Sequence, residues 1–458
     1  MSGEGTVEQV LAGERRWCVL QEDCRALLPA IPDSTLHSCV CDPPYELGFM
    51  GRKWDASGIA YDVAMWRQVL RALKPGGYLL AFGGTRTYHR MACAIEDAGF
   101  DVRDCIVWMY ASGFPKSLDV SKAIDQHFGN ERPDRTTSGN GCSVFQPTVR
   151  PENRGTPIAA AAAGWGTALK PAIEPVIVAR KPLEGTVATN WLEHGTGAMN
   201  IDASRIDVSE EDRSALANAG GWARSGYEWK GGVILGGGRS IRPAGQIVET
   251  DADYGRGRWP ANVIHDGSPE VLEQFARYGD RPSGASVGNG GKIFGAANGG
   301  ATHDGYPGDD GSAARFFFCA KASRAERELG CAHLPARSAA EATHSQEGAA
   351  RLNSPRTGAG RTATAIRNTH PTVKPLALLR YLQKLVTPPG GIVLDPFCGS
   401  GTGGMSALLE GFRYVGMELM AEHMPIALAR IRHVDGYGWQ EETESGPTIR
   451  QQGLPFGR

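Results

Sequence analysis

Apolar residues in the first part of the chain fall into short runs separated by amphipathic stretches. Four runs have the length and composition of buried strands: residues 17–20, 37–42, 77–84 and 104–110. Between them, residues 65–73 and 87–100 have the apolar spacing of helices. This alternation predicts an α/β fold in which helices cover both faces of a parallel sheet.

The pattern weakens twice before it resumes. Residues 130–165 are polar and rich in Pro, Gly and Thr, which predicts a surface insertion, and strand character returns at 174–182. Periodicity is weak again over 183–365, although RWPANVIHD and ARFFFCAKAS look like folded pieces. A helix with proline at its start is predicted within 370–386, followed by a buried strand over 391–395.

These changes predict four segments. The first and third, residues 1–182 and 366–438, form one catalytic domain that is interrupted by an irregular inserted domain at 183–365. Residues 439–458 form a polar tail.

Composition excludes little. A formal net charge of −2 gives no global sign of nucleic-acid binding, so a DNA-binding face must be local. The start has no basic segment followed by an apolar one, and no run of about 18 apolar residues suggests a membrane span. Ten cysteines without a C-x-x-C pair predict reduced thiols in the cytoplasm and no metal site.

A glycine-rich turn between two predicted strands indicates a nucleotide-like ligand. Asp395 precedes the turn, and Glu418 ends the next strand, where a carboxylate can accept hydrogen bonds from ribose hydroxyls. Gly399, Gly401 and Gly404 match G-x-G-x-x-G, so a nicotinamide dehydrogenase is a competing interpretation. Asp395 would repel a pyrophosphate, however, and suits the positive charges of S-adenosyl-L-methionine.

The tetrapeptide Asp42-Pro43-Pro44-Tyr45 follows the strand at 37–42 and suits methylation of an amine. Asp42 and a backbone carbonyl of the proline pair can each accept an N–H hydrogen bond, which turns the nitrogen lone pair towards a methyl donor. Tyr45 can stack on a base that has been flipped out of the duplex. Cys41 precedes the motif, which argues against C5-cytosine methylation through a cysteine nucleophile.

Both motifs resemble those of the DNA amino-methyltransferases with permuted motif order, the beta group, which methylate adenine N6 or cytosine N4. The likeness covers residues 16–182 and 367–434 and keeps the group's order: catalytic motif, target-recognition region, cofactor loop. It implies a permuted Rossmann-like sheet with an inserted target-recognition domain, with S-adenosyl-L-methionine as cofactor and double-stranded DNA as partner. It also implies a homodimer, although no residue pattern identifies an interface.

The resemblance assigns further roles. Asp23 would meet the adenine of the cofactor, and the pair Lys374-Pro375 would open a helix beside its methionine end. The matching cofactor residues of the glycine-rich segment are Asp395, Phe397, Gly399, Gly401, Thr402 and Glu418. The strands that end at Asp42 and Asp395 must then be neighbours in one sheet.

Asp at the first position of the tetrapeptide favours adenine N6, since Ser is more typical of the cytosine enzymes. Cytosine N4 methylation stays open, as do RNA as substrate and a catalytically silent DNA-binding protein of the same fold. The middle segment carries basic residues suited to DNA contacts: Arg213, Arg224, Lys230, Arg239, Arg242, Arg256 and Arg258. A bacterial or phage-infected cytoplasm is the expected setting.

Overall fold

The computed structural model describes residues 2–48, 53–110, 117–130, 155–206, 259–267, 273, 317–318, 321–337 and 366–436. The strands are β1 Ser2–Glu4, β2 Trp17–Gln21, β3 Leu36–Cys41, β4 Leu73–Phe82, β5 Asp101–Met109, β6 Ile173–Arg180, β7 Val263–His265, β8 Phe317–Phe318, β9 Ile392–Asp395 and β10 Arg413–Glu418. The helices are α1 Val7–Leu11, α2 Cys24–Leu27, α3 Val63–Ala72, α4 Tyr88–Asp97, α5 Val120–His127, α6 Pro157–Ala161, α7 Val187–His194, α8 Arg324–Glu328, α9 Leu376–Val386, α10 Thr402–Leu409 and α11 Met424–Asp435.

The chain divides into two compact units, Met1–Tyr110 with Glu174–Arg458, and Ala111–Ile173. In the second unit, α5 and α6 are joined through Asp125, whose carboxylate accepts a hydrogen bond of 2.7 Å from the Thr156 hydroxyl. A bridge between Asp119 and Gly166 closes this unit.

The first unit contains one sheet of ten strands in the order β1-β2-β10-β9-β3-β4-β6-β5-β7-β8. Neighbours from β2 to β4 are parallel, which confirms the predicted α/β arrangement in the centre of the sheet. The sheet is mixed rather than parallel throughout, because β6 runs antiparallel to β4 and β1 runs antiparallel to β2. An apolar run reveals that a strand is buried but says nothing about its direction.

The two pieces of the middle segment that looked folded extend this sheet. β7 lies within RWPANVIHD and pairs in parallel with β5, and β8 lies within ARFFFCAKAS and pairs in parallel with β7. The described parts of the segment 183–365 therefore include strands of the main sheet, which weak periodicity did not predict.

Buried side chains form a core on each face of the sheet. Along β9, Val393 belongs to one cluster and its neighbours Ile392 and Leu394 belong to the other, as the alternation of side chains along a strand requires. Helices α9, α10 and α11 supply the first cluster, and α3 and α4 supply much of the second. Among the described residues, no helix is long and apolar enough to cross a membrane.

The central position of β6 predicts a large cost for shortening its side chains. Val178 pairs with Leu80 of β4 and is fully buried. The substitution Val178→Ala should lower the free energy of unfolding by about 2 kcal/mol, since it removes two buried carbons and leaves a cavity. Urea unfolding measures this, with Val187→Ala as the control because Val187 is 45% exposed on α7. A control change of the same size would contradict the central placement of β6.

Candidate active site at the carboxyl edge of the sheet

Four acidic residues lie where neighbouring parallel strands end. Asp42 follows β3, Asp395 ends β9, Glu418 ends β10, and Asp23 follows β2. β3 pairs directly with β9, with Cys39 opposite Leu394, so the strands that precede Asp42 and Asp395 are neighbours as the sequence predicted. Parallel strands present their carboxyl ends at one edge, which is where open α/β sheets bind ligands.

Asp42 uses its two carboxylate oxygens differently. Its Oδ2 accepts a hydrogen bond of 2.6 Å from the Lys374 ammonium. Its Oδ1 is buried and has no hydrogen-bond partner among the residues that the structure describes. A buried acceptor without a donor is costly, so Oδ1 is an oxygen that an N–H group of a ligand would satisfy.

Tyr45 is fixed at both ends. Its hydroxyl donates to Glu174 Oε2 at 3.0 Å and accepts from the Lys374 ammonium at 3.1 Å. Its carbonyl accepts a hydrogen bond of 2.7 Å from the Thr87 hydroxyl. These contacts hold the phenol ring in one place beside Asp42. No motif in the sequence marks Glu174, which lies on β6, more than a hundred positions from the tetrapeptide.

Glu46 continues the tetrapeptide in a left-handed conformation, with φ of 56°. Such a backbone is uncommon for a residue with a side chain. It is held by the Asp55 carboxylate, which accepts from the Glu46 N–H at 3.1 Å, and by the Glu46 carboxylate, which accepts from the Gly58 N–H at 2.8 Å. The turn after Tyr45 is therefore clamped on both sides.

The charges of this cluster balance around Lys374. Burial raises the pKa of Asp42, although Lys374 opposes the shift. Burial alone would also raise the pKa of Glu174, but the charge of Lys374 and the hydroxyl of Tyr45 bring it below its ordinary value. Burial opposes the charge of Lys374, and the two carboxylates hold its pKa above the ordinary value.

The glycine-rich turn is folded around carboxylates. Asp395 Oδ1 accepts from the Phe397 N–H at 3.1 Å, and Glu418 Oε2 accepts from the Gly399 N–H at 2.7 Å. Gly401 has φ of 78°, and a Cβ there would lie 2.8 Å from the Ala427 carbonyl oxygen. Only glycine fits that position, because both the backbone conformation and the space exclude a side chain.

A buried arginine that sequence reasoning missed joins this turn to α11. Arg430 Nη1 donates to the Ser400 carbonyl at 2.8 Å and to the Thr402 hydroxyl at 2.7 Å. Its Nη2 donates to the Glu326 carbonyl at 3.2 Å. An arginine in a helix normally signals a solvated face, so nothing in the sequence marked it.

Asp395 is buried at the carboxyl edge of the sheet. Burial raises its pKa to about 7, although hydrogen bonds from the Phe397 N–H and the Tyr414 hydroxyl favour the charged form. The charges of Asp42 and Glu418 add to the increase. A cationic ligand at this place would favour the ionised carboxylate.

The other residues assigned by resemblance lie around the same edge. Asp23 caps α2 and forms an ion pair with Arg25, with Nη2 to Oδ2 at 2.6 Å. Pro375 is the N-cap residue of α9, so Lys374 lies immediately before that helix. Glu418 also accepts from the Met420 N–H at 2.8 Å, so its carboxylate contacts both the turn that follows β10 and the glycine-rich turn.

Part of the middle segment contacts this region. Glu326 Oε1 accepts from the Leu376 N–H at 2.5 Å, and Arg327 donates to the His370 carbonyl at 3.0 Å. α8 is therefore bonded to the residues that begin α9. The seven basic residues from Arg213 to Arg258, expected to contact DNA, lie outside the described residues.

Comparison with known proteins shows related sequences. The chain is 40% identical over 72 residues to the DNA adenine methyltransferase YhdJ of Escherichia coli strain K12, which is 16% of this chain and 24% of that protein. The chain thus spans about a quarter of the length of the curated relatives that it matches.

Two solved structures are similar at low identity. The cytosine-N4-specific PvuII DNA methyltransferase is 12% identical with a TM-score of 0.38, over 94% of this chain and 89% of that one. The M1.HpyAVI–SAM complex is 12% identical with a TM-score of 0.35, over 90% of this chain and 98% of that one.

A family model gives the broadest match. It is described as DNA methylase, covers methyltransferases of the N6 and N4 type, and matches residues 36–429, from the start of β3 into α11. The chain belongs to this DNA methylase family.

Proposed function

We propose that the protein transfers the methyl group of S-adenosyl-L-methionine to the exocyclic N6 of adenine in double-stranded DNA. The observation that carries the proposal is the unpartnered Oδ1 of Asp42, a buried acceptor at the strand edge that also holds Asp395. The base amine supplies the missing donor, and a cationic methyl donor suits the neighbouring carboxylate.

The residues at the ends of β9, β10 and β2 would hold the cofactor. S-adenosyl-L-methionine would supply an electrophilic methyl group on a sulfonium. Asp395 would offset its positive charges, Glu418 would accept from its ribose hydroxyls, and Asp23 would meet its adenine. The turn residues Phe397, Gly399, Gly401 and Thr402 would line the same pocket, and Lys374-Pro375 would border the methionine end.

The base enters between Asp42 and Tyr45. A flipped adenine stacks on the Tyr45 ring, and one amine N–H donates to Asp42 Oδ1. The other N–H donates to a carbonyl of the Pro43-Pro44 pair, whose backbone the prolines stiffen. With both protons held, the nitrogen becomes tetrahedral and its lone pair points along the line of transfer.

Adenine is favoured over cytosine by the aspartate at position 42 and by the likeness to an adenine methyltransferase. The geometry of Asp42 suits either amine, because both offer two N–H donors next to a ring. We assign the segment 183–365 to the recognition of the DNA sequence. We assign the cytoplasm as the place where the protein acts.

Replacement of the acceptor tests the reaction. In the variant Asp42→Ala the rate of methyl transfer should fall about 10²-fold or more, because the amine loses the acceptor of one of its N–H hydrogen bonds. The measurement is transfer of labelled methyl to unmethylated DNA, followed by digestion and mass spectrometry of the nucleosides. The control is Asp33→Ala, because Asp33 lies before β3 at the other end of that strand and its side chain is 74% exposed.

The nucleoside found decides the base. N6-methyladenine that disappears in Asp42→Ala supports the proposal, and N4-methylcytosine keeps the mechanism while overturning the choice of base. Tight cofactor binding without a methylated nucleoside on any DNA contradicts the proposal and favours RNA or a silent binding protein.

The raised pKa of Asp395 predicts pH-dependent cofactor binding. Its carboxyl has a pKa of about 7 in the unliganded protein, so it is mostly protonated below pH 7 and loses its attraction for a cation. The affinity for S-adenosyl-L-methionine should therefore fall about tenfold between pH 8 and pH 6. Calorimetric titration measures this against Asp395→Asn. The cofactor's own titration affects both proteins equally, so parallel pH profiles would contradict the assignment of Asp395.

A further inference from the structure

We infer that Glu174 is a positioning residue of the methyl transfer, which orients the Tyr45 ring through its hydroxyl and holds Lys374 between two carboxylates. The inference rests on the proposed function and extends it to a residue from a different part of the chain. Glu174 lies at the beginning of β6, which runs antiparallel to β4 and lies between β4 and β5 in the sheet. The reversed strand thus delivers a carboxylate to the edge where the parallel strands end.

The contacts of Glu174 are all with groups near the tetrapeptide. Its Oε2 accepts from the Tyr45 hydroxyl at 3.0 Å and lies 3.4 Å from the Lys374 ammonium. Tyr110, which follows β5, is also close to this carboxylate and helps to lower its pKa. Its side chain is 17% exposed, so these contacts exchange little with water.

Lys374 is shared between the two carboxylates. Its ammonium lies 2.6 Å from Asp42 Oδ2 and 3.4 Å from Glu174 Oε2, and it also donates to the Tyr45 hydroxyl. It packs against the Phe82 ring, with 4.9 Å from Nζ to the ring centroid. Two hydrogen bonds and one ion pair of the Lys374 ammonium thus tie Asp42, Tyr45 and Glu174 into one unit.

The unit explains why one oxygen of Asp42 stays free. Lys374 holds Oδ2, which fixes the carboxylate plane and leaves Oδ1 as the acceptor for the base amine. Without Glu174, Lys374 would lose its second anion and Tyr45 would lose its acceptor. The Tyr45 ring and the Asp42 carboxylate would both become more mobile. The base amine would then be less well aligned with the methyl donor.

Charge provides a second consequence. The negative charge of Glu174 is one of the causes that raise the pKa of Asp42. Among the described residues, the charged groups around Glu174 are Lys374, Asp42 and Lys321. The Lys321 ammonium lies 3.5 Å from the Tyr110 ring centroid. The charge of Asp395 acts on the same site, since it and Asp42 repel each other. Removal of the charge at position 174 therefore lets Asp42 ionise at lower pH, and the acidic limb of the kcat profile should follow it.

The test compares Glu174→Gln, which keeps an oxygen acceptor for Tyr45, with Glu174→Ala, which removes it. For Glu174→Gln we expect kcat to fall roughly tenfold, with the KM for S-adenosyl-L-methionine unchanged and the acidic limb of kcat displaced to lower pH. Glu174→Ala should lose more kcat and raise the KM for DNA. Because Tyr45→Phe removes the same hydrogen bond, its effect and that of Glu174→Ala should be less than additive.

The matched control is Glu410→Gln. Glu410 is, like Glu174, a half-buried glutamate beside cations, with Arg380 at 2.5 Å and Lys384 at 3.3 Å, but it follows α10, before β10 begins. This variant should leave the acidic limb in place. If Glu174→Gln and Glu410→Gln both lost kcat while the acidic limb of the kcat profile stayed in place, Glu174 would be a structural residue only. That outcome would overturn the inference.

A readout without activity separates this inference from the proposed function. Labelled lysine followed by NMR gives the pKa of Lys374, whose signal is assigned by its loss in Lys374→Arg. In Glu174→Gln that pKa should fall, because Lys374 loses one of two carboxylates. An unchanged pKa overturns the positioning role. If the wild-type protein methylates no DNA but the pKa of Lys374 still falls in Glu174→Gln, the proposed function is wrong. The contacts between Glu174 and Lys374 are then still supported.

Discussion

The pairing of β3 with β9 is the interaction on which the site depends. It joins residues that are about 350 positions apart in the chain, with Cys39 opposite Leu394, and a buried hydrogen bond of 2.8 Å between Ser38 and Thr387 accompanies it. Because the strands are parallel, both end at the same edge, where Asp42 and Asp395 follow. In the proposed function the methyl acceptor and the methyl donor would meet only if this long-range pairing forms, because the register of the two strands fixes the distance between Asp42 and Asp395.

Lys374 lies between two of the carboxylates that are crowded at this edge. Asp42, Glu174 and Asp395 are drawn together by strands that each end or begin there, and burial disfavours the charge of each. Lys374 forms ion pairs with the first two. Asp395 accepts hydrogen bonds but forms no ion pair among the residues that the structure describes, and its pKa rises to about 7. In the proposed function, the positive charge of the cofactor would supply the missing partner of Asp395.

Local patterns predicted what depends on neighbours in the sequence. The runs at 17–20 and 37–42 became β2 and β3, and the glycine turn leads into α10 as expected. The antiparallel direction of β6 and the pairing of β7 and β8 with the main sheet were not predicted, since an apolar run gives neither the direction nor the partner of a strand. Glu174 and Arg430 were missed for the same reason: each acts through contacts across more than twenty-five positions, and neither carries a motif.

The middle segment and the cofactor loop are parts of one structure rather than separate modules. Arg430 donates to the glycine turn and to the Glu326 carbonyl, while the Glu326 side chain accepts from the first N–H of α9. A shift of α8 would therefore disturb the turn at Ser400 and the start of the helix that follows Lys374. Lys374 in turn holds Asp42. A chain of polar contacts thus links a segment assigned to DNA recognition with the groups assigned to both the donor and the acceptor of the methyl group.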